Sequence, residues 1–345
     1  MSSRLRLMRR ARMKKQRHEA RALARPLALR ALLLLLIAFC TLLPAQAQAP
    51  EPADIVRIDT DLVNLNVSIF SKAPRMIAAA LQQTDFAVVD NGRPQEVSFF
   101  AATDAPFDLV LLLDLSGSTA DKIGLIRKSA RRFVEAARPA DRVAIVTFTA
   151  DIQVISKLTS DHAAARKSID QIEKPVGGTN FWDALSFVLN HRLVQSRIEH
   201  RRSAVVVMTD GVDNALPDVY GDGSKTSFAQ LLDTLRRSES IVLPIYLDTE
   251  KESNPRSTPP SAYAMARQQL AQVAAESGNE VYLARKIKDL EGVYEQVISD
   301  LATVYSIGYR PADRTRDGAW HSVSVQVIGH ADLGVRAPRG YYESR

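Results

Sequence analysis

The sequence predicts an α/β protein with a doubly wound, mostly parallel sheet, flanked by a small β-sandwich built from the N- and C-terminal segments. Three observations lead to this fold class. Continuous apolar runs alternate with segments of helical spacing in the middle of the chain. Alternating apolar and polar residues, typical of half-buried strands, precede and follow this middle part. The length of 345 residues is sufficient for a large core and a smaller second unit.

The first 47 residues are predicted to be a signal peptide. A long cationic stretch precedes the apolar run 31–43, and Ala45 and Ala47 fit a cleavage site after Ala47. The run is short for a membrane span, and an uncleaved membrane anchor is the alternative interpretation. We therefore expect a secreted, periplasmic or cell-envelope protein, with residues 48–53 as a linker.

Charge and cysteine content exclude several function classes. Residues 1–47 contain eleven Lys and Arg and one acidic residue, whereas the whole chain has a net charge of +6, so the remainder has a net charge of −4. Nothing basic outside the leader favours nucleic-acid binding. Cys40 is the only cysteine and lies in the leader. Removal of the leader leaves no thiol for a disulfide or a zinc site.

Residues 54–104 are predicted to form an N-terminal β segment. The stretch VRIDTDLVNLNVSIF (56–70) alternates apolar and polar residues, which indicates a half-buried strand. The stretch FAVVDNGRPQEVSFF (86–100) contains two strands around Asp90, Asn91 and Gly92, a strong signal for a tight hairpin.

Residues 105–302 are predicted to form the α/β domain. Its strands are continuous apolar runs, as expected when helices cover both faces of a sheet: FDLVLLLD (107–114), RVAIVTF (142–148), SAVVVMTD (203–210), SIVLPIYL (240–247) and the shorter NEVYLA (279–284). Helical spacing is found at 120–137, 161–173, 180–194, 226–237, 261–276 and 287–302. This alternation of strands and helices predicts a doubly wound parallel sheet.

Residues 303–345 are predicted to form a C-terminal β segment, with the strand patterns YSIGYRP, WHSVSVQVIG and GVRAPRGYY. Each terminal β segment is too small to bury a face alone, so we expect 303–345 to pair with 54–104 in one sandwich. This pairing would bring the two ends of the α/β domain together.

Oxygen-bearing side chains follow several of the predicted strands. Asp114 ends the first buried strand and is followed by Ser116 and Ser118, Thr179 precedes a helix, and Asp210 ends the third buried strand. The carboxyl ends of parallel strands meet at one edge of a sheet, where ligands bind. Two carboxylates and three hydroxyls without His or Cys suit a hard divalent cation, Mg²⁺ before Mn²⁺ or Ca²⁺. Taken alone, Ser118 is equally well explained as a helix N-cap.

The patterns D-x-S-x-S, G-G-T and T-D-G, in this order, resemble the metal-ion-dependent adhesion site (MIDAS) of the von Willebrand factor type A domain. The resemblance implies direct metal binding by Ser116 and Ser118, and binding by Thr179 directly or through water. It implies that Asp114 and Asp210 act mostly through water and hydrogen bonds. It also implies a Rossmann-like fold and a protein partner that supplies an Asp or Glu carboxylate to the cation. The flanking β patterns are similar to the secreted acidobacterial group of these proteins.

Other residues near these motifs have simpler interpretations. Asp213 and Asn214 are typical turn formers, Asp183 fits an exposed or capping position, and Trp182 fits the core. The stretch 221–226 lacks the spacing of a phosphate-binding loop and fits a solvent loop before a helix cap.

The sequence thus favours a non-enzymatic, metal-dependent protein-binding module. The main alternative is an accessory or assembly subunit of an envelope or secretion complex. A serine hydrolase that uses Ser116 or Ser118 is the weakest alternative, because no G-x-S-x-G or H-E-x-x-H motif is present.

Overall fold

The computed structural model describes residues 62–72, 81–117, 123–173, 177–191, 201–252, 257–312 and 317–343, which belong to one compact unit. The predicted signal peptide and linker, and the predicted metal ligand Ser118, lie outside the described residues.

The described strands are β1 Val63–Ser71, β2 Phe86–Asp90, β3 Arg93–Gln95, β4 Val97–Ala101, β5 Phe107–Asp114, β6 Arg142–Phe148, β7 Ile152–Thr159, β8 Arg202–Thr209, β9 Ile241–Leu247, β10 Tyr282–Ala284, β11 Val304–Tyr309, β12 Trp320–Val327, β13 Leu333–Arg336 and β14 Gly340–Tyr342. The described α-helices are α1 Ile123–Ala136, α2 His162–Ile169, α3 Phe181–Asn190, α4 Phe228–Arg237, α5 Pro260–Glu276 and α6 Leu290–Leu301. Most match the predicted segments to within a few residues.

The α/β domain is built on a six-stranded sheet with the order β10-β9-β8-β5-β6-β7. All neighbouring strands are parallel except β6 and β7. Helices α1, α2 and α6 cover one face, and α3, α4 and α5 cover the other. Because side chains alternate along a strand, Leu111 of β5 packs into the first core and Leu112 into the second. This two-sided burial explains the uninterrupted apolar run of β5, and the predicted fold class is confirmed.

Strand β7 is absent from the sequence prediction. It runs antiparallel to β6 at the edge of the sheet, and most of its side chains are at least partly exposed. Its sequence IQVISKLT mixes polar and apolar residues, because an edge strand needs no two-sided apolar cover. A search for buried runs therefore overlooks it.

The two terminal β segments form the predicted β-sandwich. One four-stranded sheet has the order β13-β1-β11-β4 and the other has the order β14-β12-β2-β3. Antiparallel pairing of β1 with β11 and of β2 with β12 joins the N-terminal segment to the C-terminal one. The core of the sandwich includes Leu65, Val67, Val88, Ile307 and Tyr309.

The predicted hairpin is present, but its second strand is shorter than expected. Asn91 and Gly92 have φ values of 46° and 78°, as a two-residue turn with two left-handed positions requires. Strand β3 ends at Gln95, and the chain then crosses to the other sheet, where β4 pairs with β11. The stretch 86–100, predicted to contain two strands, therefore contains three, and the third lies in the other sheet.

Arg202, at the start of β8, fastens the sandwich to the α/β domain. Its side chain is buried and donates to the backbone carbonyls of Thr103, Ala105 and Val304. Its guanidinium also lies 4.1 Å from the centroid of the Phe107 ring. One side chain thus holds both chain connections between the two parts, 102–106 and the start of β11.

None of the helices in the described ranges has the length and apolar character that a membrane crossing requires.

Candidate metal-binding site

Asp114 is the last residue of β5 and is fully buried. Its Oδ2 accepts a hydrogen bond of 2.6 Å from the Thr209 hydroxyl, and its Oδ1 accepts one of 2.9 Å from the Ser116 backbone N–H. The Ser116 side chain also hydrogen-bonds to this carboxylate. These contacts fix the carboxylate at the carboxyl edge of the sheet.

Asp210 follows β8, the strand next to β5, and is held in the same manner. Its Oδ2 accepts from the Thr249 hydroxyl at 2.6 Å, and its Oδ1 accepts from the Val212 backbone N–H at 3.1 Å. Each of the two carboxylates is therefore oriented by one threonine hydroxyl and by one backbone N–H two residues further along the chain.

Thr179 lies on a loop that crosses the end of β5. On one side, the Asn180 backbone N–H donates to the carbonyl of Thr149, just after β6. On the other side, the Asn214 N–H donates to the Thr179 carbonyl, beyond β8. Because β5 lies between β6 and β8, this loop spans the strand end that bears Asp114. Thr179 itself is 6% exposed.

The two acidic side chains affect each other electrostatically. Burial, together with the nearby Asp210, raises the pKa of Asp114 from 3.8 to about 7, although hydrogen bonds from Thr209 and Ser116 oppose the change. Without a cation, placing two negative charges at this buried edge is therefore unfavourable. A divalent cation would remove this repulsion and favour the ionised form of Asp114.

The donor set fits a hard cation. Asp114, Asp210, Ser116 and Thr179 offer oxygen atoms of the kind that Mg²⁺, Mn²⁺ and Ca²⁺ prefer. Among the residues described by the structure, no group of three or more His, Cys, Asp and Glu side chains is arranged to hold a metal ion. A cation at this edge would therefore depend on hydroxyl groups and water as well as on the two carboxylates.

Four of the five predicted site residues lie at the same edge of the sheet: Asp114, Ser116, Thr179 and Asp210. The prediction overlooked Thr209 and Thr249, which orient the two carboxylates. Thr209 belongs to the T-D-G motif itself. Thr249 follows β9, which is the parallel neighbour of β8. Its position just after a parallel strand could have predicted that it lies at the same edge as Asp210.

Asp213 and Asp183 form hydrogen bonds between α3 and the loop after β8. Asp213 is fully buried and accepts from the Trp182 backbone N–H at the start of α3 and from the Ser224 hydroxyl. Asp183 accepts from the backbone N–H groups of residues 225 and 226. Partial burial opposes ionisation of Asp183, but hydrogen bonds from the Thr226 side chain and from these two backbone N–H groups outweigh it and lower the pKa of Asp183. Both carboxylates fasten the loop after β8 to α3.

Three histidines in the described part of the chain have hydrogen-bond partners away from this edge. The ring nitrogens of His162, His191 and His321 hydrogen-bond to the carbonyls of Asp141 and Phe187 and to the carboxylate of Asp90, respectively. None of these acceptors belongs to the candidate site.

The fold and the site define a doubly wound α/β domain with an acidic, hydroxyl-lined carboxyl edge. Residues 109–212 match the family model of the von Willebrand factor type A domain. The chain therefore contains a domain of this family, as the motif resemblance implied. No curated protein matches the sequence.

Several solved structures resemble the chain. BatB from Bacteroides thetaiotaomicron is 17% identical with a TM-score of 0.40, and the match covers 57% of this chain and 98% of BatB. The von Willebrand factor domain of the pilus tip protein Mfa5 from Porphyromonas gingivalis is 14% identical with a TM-score of 0.40, covering 56% and 94%. Mussel byssus proximal thread matrix protein 1 with a zinc-occupied MIDAS motif is 18% identical with a TM-score of 0.45, covering 60% and 48%.

Proposed function

We propose that the chain is a metal-dependent protein-binding module. A divalent cation, Mg²⁺ in the first place, binds Ser116, Ser118 and Thr179, with Asp114 and Asp210 acting through water and hydrogen bonds. The observation that carries this proposal is the pair of buried carboxylates, each oriented by a threonine hydroxyl and a backbone N–H at the edge of the sheet where Ser116 and Thr179 also lie.

The chemistry of the cation defines the kind of partner. If the two carboxylates stand behind water or hydroxyl groups, the cation keeps enough positive charge to attract an anionic ligand. An Asp or Glu side chain of a partner protein would satisfy this requirement, and no covalent bond is made or broken. The leader pattern of residues 1–47 supports the further proposal that this binding takes place outside the cytoplasm.

Calorimetric titration of Mg²⁺ and Mn²⁺ into the chelator-stripped protein tests the metal site. We expect one ion to bind the wild-type protein and none to bind the Asp114→Ala/Asp210→Ala double variant. The control is Glu96→Gln, which removes an exposed negative charge from the β-sandwich and leaves the candidate site intact. A folded wild-type protein that takes up no ion, even with acetate added to complete its coordination, would refute the metal site.

Binding to acidic peptides tests the partner class. A peptide with a single Glu in an Ala background is compared with the same peptide carrying Gln, in the presence and absence of chelator. We expect binding only with Glu and only with metal. Equal binding of both peptides would contradict a carboxylate-dependent contact.

A further inference from the structure

Asn214 connects the Thr179 loop to the loop after β8. Its backbone N–H donates to the Thr179 carbonyl at 2.9 Å, and its side-chain Oδ1 accepts from the Thr179 N–H at 3.1 Å. The two residues are therefore joined in both directions. The sequence presents Asn214 as a turn former, but these contacts give it a second role at the candidate site.

The side-chain nitrogen of Asn214 forms a hydrogen bond with the Tyr220 backbone. Its Nδ2 donates to the Tyr220 carbonyl at 3.1 Å, and the Tyr220 N–H donates to the Ser257 carbonyl at 3.1 Å. A continuous series of hydrogen bonds thus runs from Thr179 through Asn214 and Tyr220 to Ser257. It links three separate loops.

Two glycines allow this close approach. A Cβ at either Gly178 or Gly221 would overlap the Asn214 side-chain nitrogen, and Gly221 has a φ of 114°, which other residues rarely adopt. The residue before Thr179 and the residue after Tyr220 therefore touch the same amide group. This contact places the Tyr220 backbone beside the loop that carries Thr179.

The Tyr220 side chain points into solvent. It is 84% exposed, the highest value among the large hydrophobic side chains in the described part of the chain. Asp218 and Asp222, two residues away on either side, are exposed as well. Because hydrogen bonds hold the Tyr220 backbone in place, its exposed ring would lose little conformational entropy on binding a partner. Aromatic side chains of this kind are enriched in protein interfaces and often contribute most to the binding energy.

We propose that Asn214 is a positioning residue that joins the metal site to Tyr220, and that Tyr220 contacts the same protein segment whose carboxylate binds the metal. This inference rests on the proposed function. The partner segment carries a basic side chain near its acidic residue, because a cation packs favourably on the Tyr220 ring and is attracted by Asp218 and Asp222.

Two substitutions of Asn214 separate its two hydrogen bonds. Asn214→Ala removes both side-chain bonds, and we expect it to weaken Mg²⁺ binding by about tenfold, as for other groups that orient a metal ligand. Asn214→Asp keeps an acceptor for the Thr179 N–H but loses the donor to the Tyr220 carbonyl. It should therefore bind Mg²⁺ no more weakly than the wild-type protein.

Tyr220 reports whether the metal and the loop are connected. In protein labelled with fluorotyrosine, the ¹⁹F signal of Tyr220 is the one that Tyr220→Phe removes. We expect Mg²⁺ to shift this signal in the wild-type protein and to leave it unshifted in Asn214→Asp, in which Mg²⁺ still binds. If Asn214 only stabilised the loop, Asn214→Asp would not retain Mg²⁺ binding while losing the Mg²⁺-induced shift of the Tyr220 signal.

Peptides test the partner chemistry. A single Lys is placed in turn at each of three positions on either side of one Glu in an Ala background, with saturating Mg²⁺. We expect at least one of these peptides to bind about fivefold more tightly than the peptide without Lys. The preference should disappear in Tyr220→Ala, which should retain wild-type Mg²⁺ affinity.

The outcomes distinguish this inference from the proposed function. If the wild-type protein binds Mg²⁺ through Asp114 and Asp210, but Asn214→Ala binds it equally well or the Tyr220 signal shifts equally in Asn214→Asp, the role of Asn214 is wrong. If no Lys position is preferred, or if the preference persists in Tyr220→Ala, the role of Tyr220 is wrong. If the wild-type protein binds no Mg²⁺, the proposed function fails and the inference fails with it.

Discussion

The molecule buries acidic side chains in two different ways, one in the β-sandwich and one in the α/β domain. In the sandwich, Asp90 is 3% exposed and accepts hydrogen bonds from the hydroxyls of Tyr309 at 2.9 Å and Tyr341 at 3.0 Å, with the His321 ring nitrogen 3.0 Å away. In the α/β domain, Asp114 is equally buried but lies close to a second carboxylate, Asp210.

The two clusters differ in what their buried carboxylates require. The Asp90 cluster joins four strands, β2, β11, β12 and β14, and its neighbours supply the donors that a buried carboxylate needs. Burial and the neighbouring carboxylate also raise the pKa values of the Tyr309 and Tyr341 hydroxyls, which therefore stay protonated as donors. The Asp114 cluster instead combines two acids, and an added cation would complete it. The first cluster is complete without an added ion, whereas the second fits the metal binding proposed above.

The largest expected effect is a pH dependence of the metal-free protein. The pKa of Asp114 is about 7 in the folded protein, compared with an ordinary value of 3.8. Between these values the folded state keeps a proton that the unfolded chain has lost, so stability falls as the pH rises. We expect the free energy of unfolding to decrease by about 4 kcal/mol from about pH 3 to about pH 8.

Denaturant unfolding with chelator at several pH values measures this change. Saturating Mg²⁺ should abolish most of the decrease, because the cation stabilises the ionised carboxylate. An identical pH dependence with and without Mg²⁺ would show that the two clusters do not differ as described.

The next effect concerns the sandwich. Asp90→Ala removes the acceptor of the buried Tyr309 hydroxyl and of the partly buried Tyr341 hydroxyl, and the partner of the His321 ring. We expect it to lower the free energy of unfolding by about 3 kcal/mol. Glu96→Ala, which removes an exposed carboxylate of the same sandwich, serves as the control and should change little. The Asp90→Ala loss should be independent of Mg²⁺. A loss that Mg²⁺ modifies would mean that the Asp90 cluster also takes part in metal binding.

Asp210→Asn should have opposite effects on stability and binding. We expect it to weaken Mg²⁺ binding about a hundredfold, because a negative charge behind the cation is lost. The metal-free protein should become more stable at neutral pH, because the repulsion on Asp114 disappears. Calorimetry and chemical unfolding of the same preparation measure both quantities. If the variant is less stable and still binds Mg²⁺ normally, Asp210 stabilises the fold, as Asp90 does, and does not take part in metal binding.

The smallest effect is expected at the threonines that orient the carboxylates. Thr249→Val removes the hydroxyl that donates to Asp210 and retains the shape of the side chain. We expect Mg²⁺ binding to weaken about tenfold. Thr234→Val on α4, where the hydroxyl bonds only to its own helix backbone at Gln230, provides a matched control and should bind Mg²⁺ normally.

The sequence predicts the centre of the fold better than its edges. Both faces of β5 are buried, so its sequence is a continuous apolar run that predicts a strand. The side chains of β7 are partly or fully exposed, so its sequence mixes polar and apolar residues and gives no such signal. The sequence does not predict the break between β3 and β4 at Glu96, because local strand propensity does not specify which sheet a strand joins.

In the candidate site, too, residues at strand ends could be predicted from the sequence, whereas contacts between distant loops could not. Asp114 and Asp210 each end a recognisable strand, so the topology of a parallel sheet is sufficient to predict that they lie at one edge. Thr249 is 39 positions from Asp210 in sequence, and its hydrogen bond depends on how the loop after β9 folds back. Asn214 looks like an ordinary turn residue until its contacts to Thr179 and Tyr220 are seen. Side-chain contacts between loops leave no periodic signal in the sequence.

The chain enters the α/β domain from β4 and leaves it into β11, and these two strands are direct neighbours: Ala101 pairs with Ser306. In modular terms, the α/β domain is a cassette inserted into one edge of the sandwich. Its two attachment points lie side by side in one sheet, and Arg202 of the cassette bonds the backbone at both of them. A different domain placed between these two strands would therefore have to supply a contact equivalent to that of Arg202.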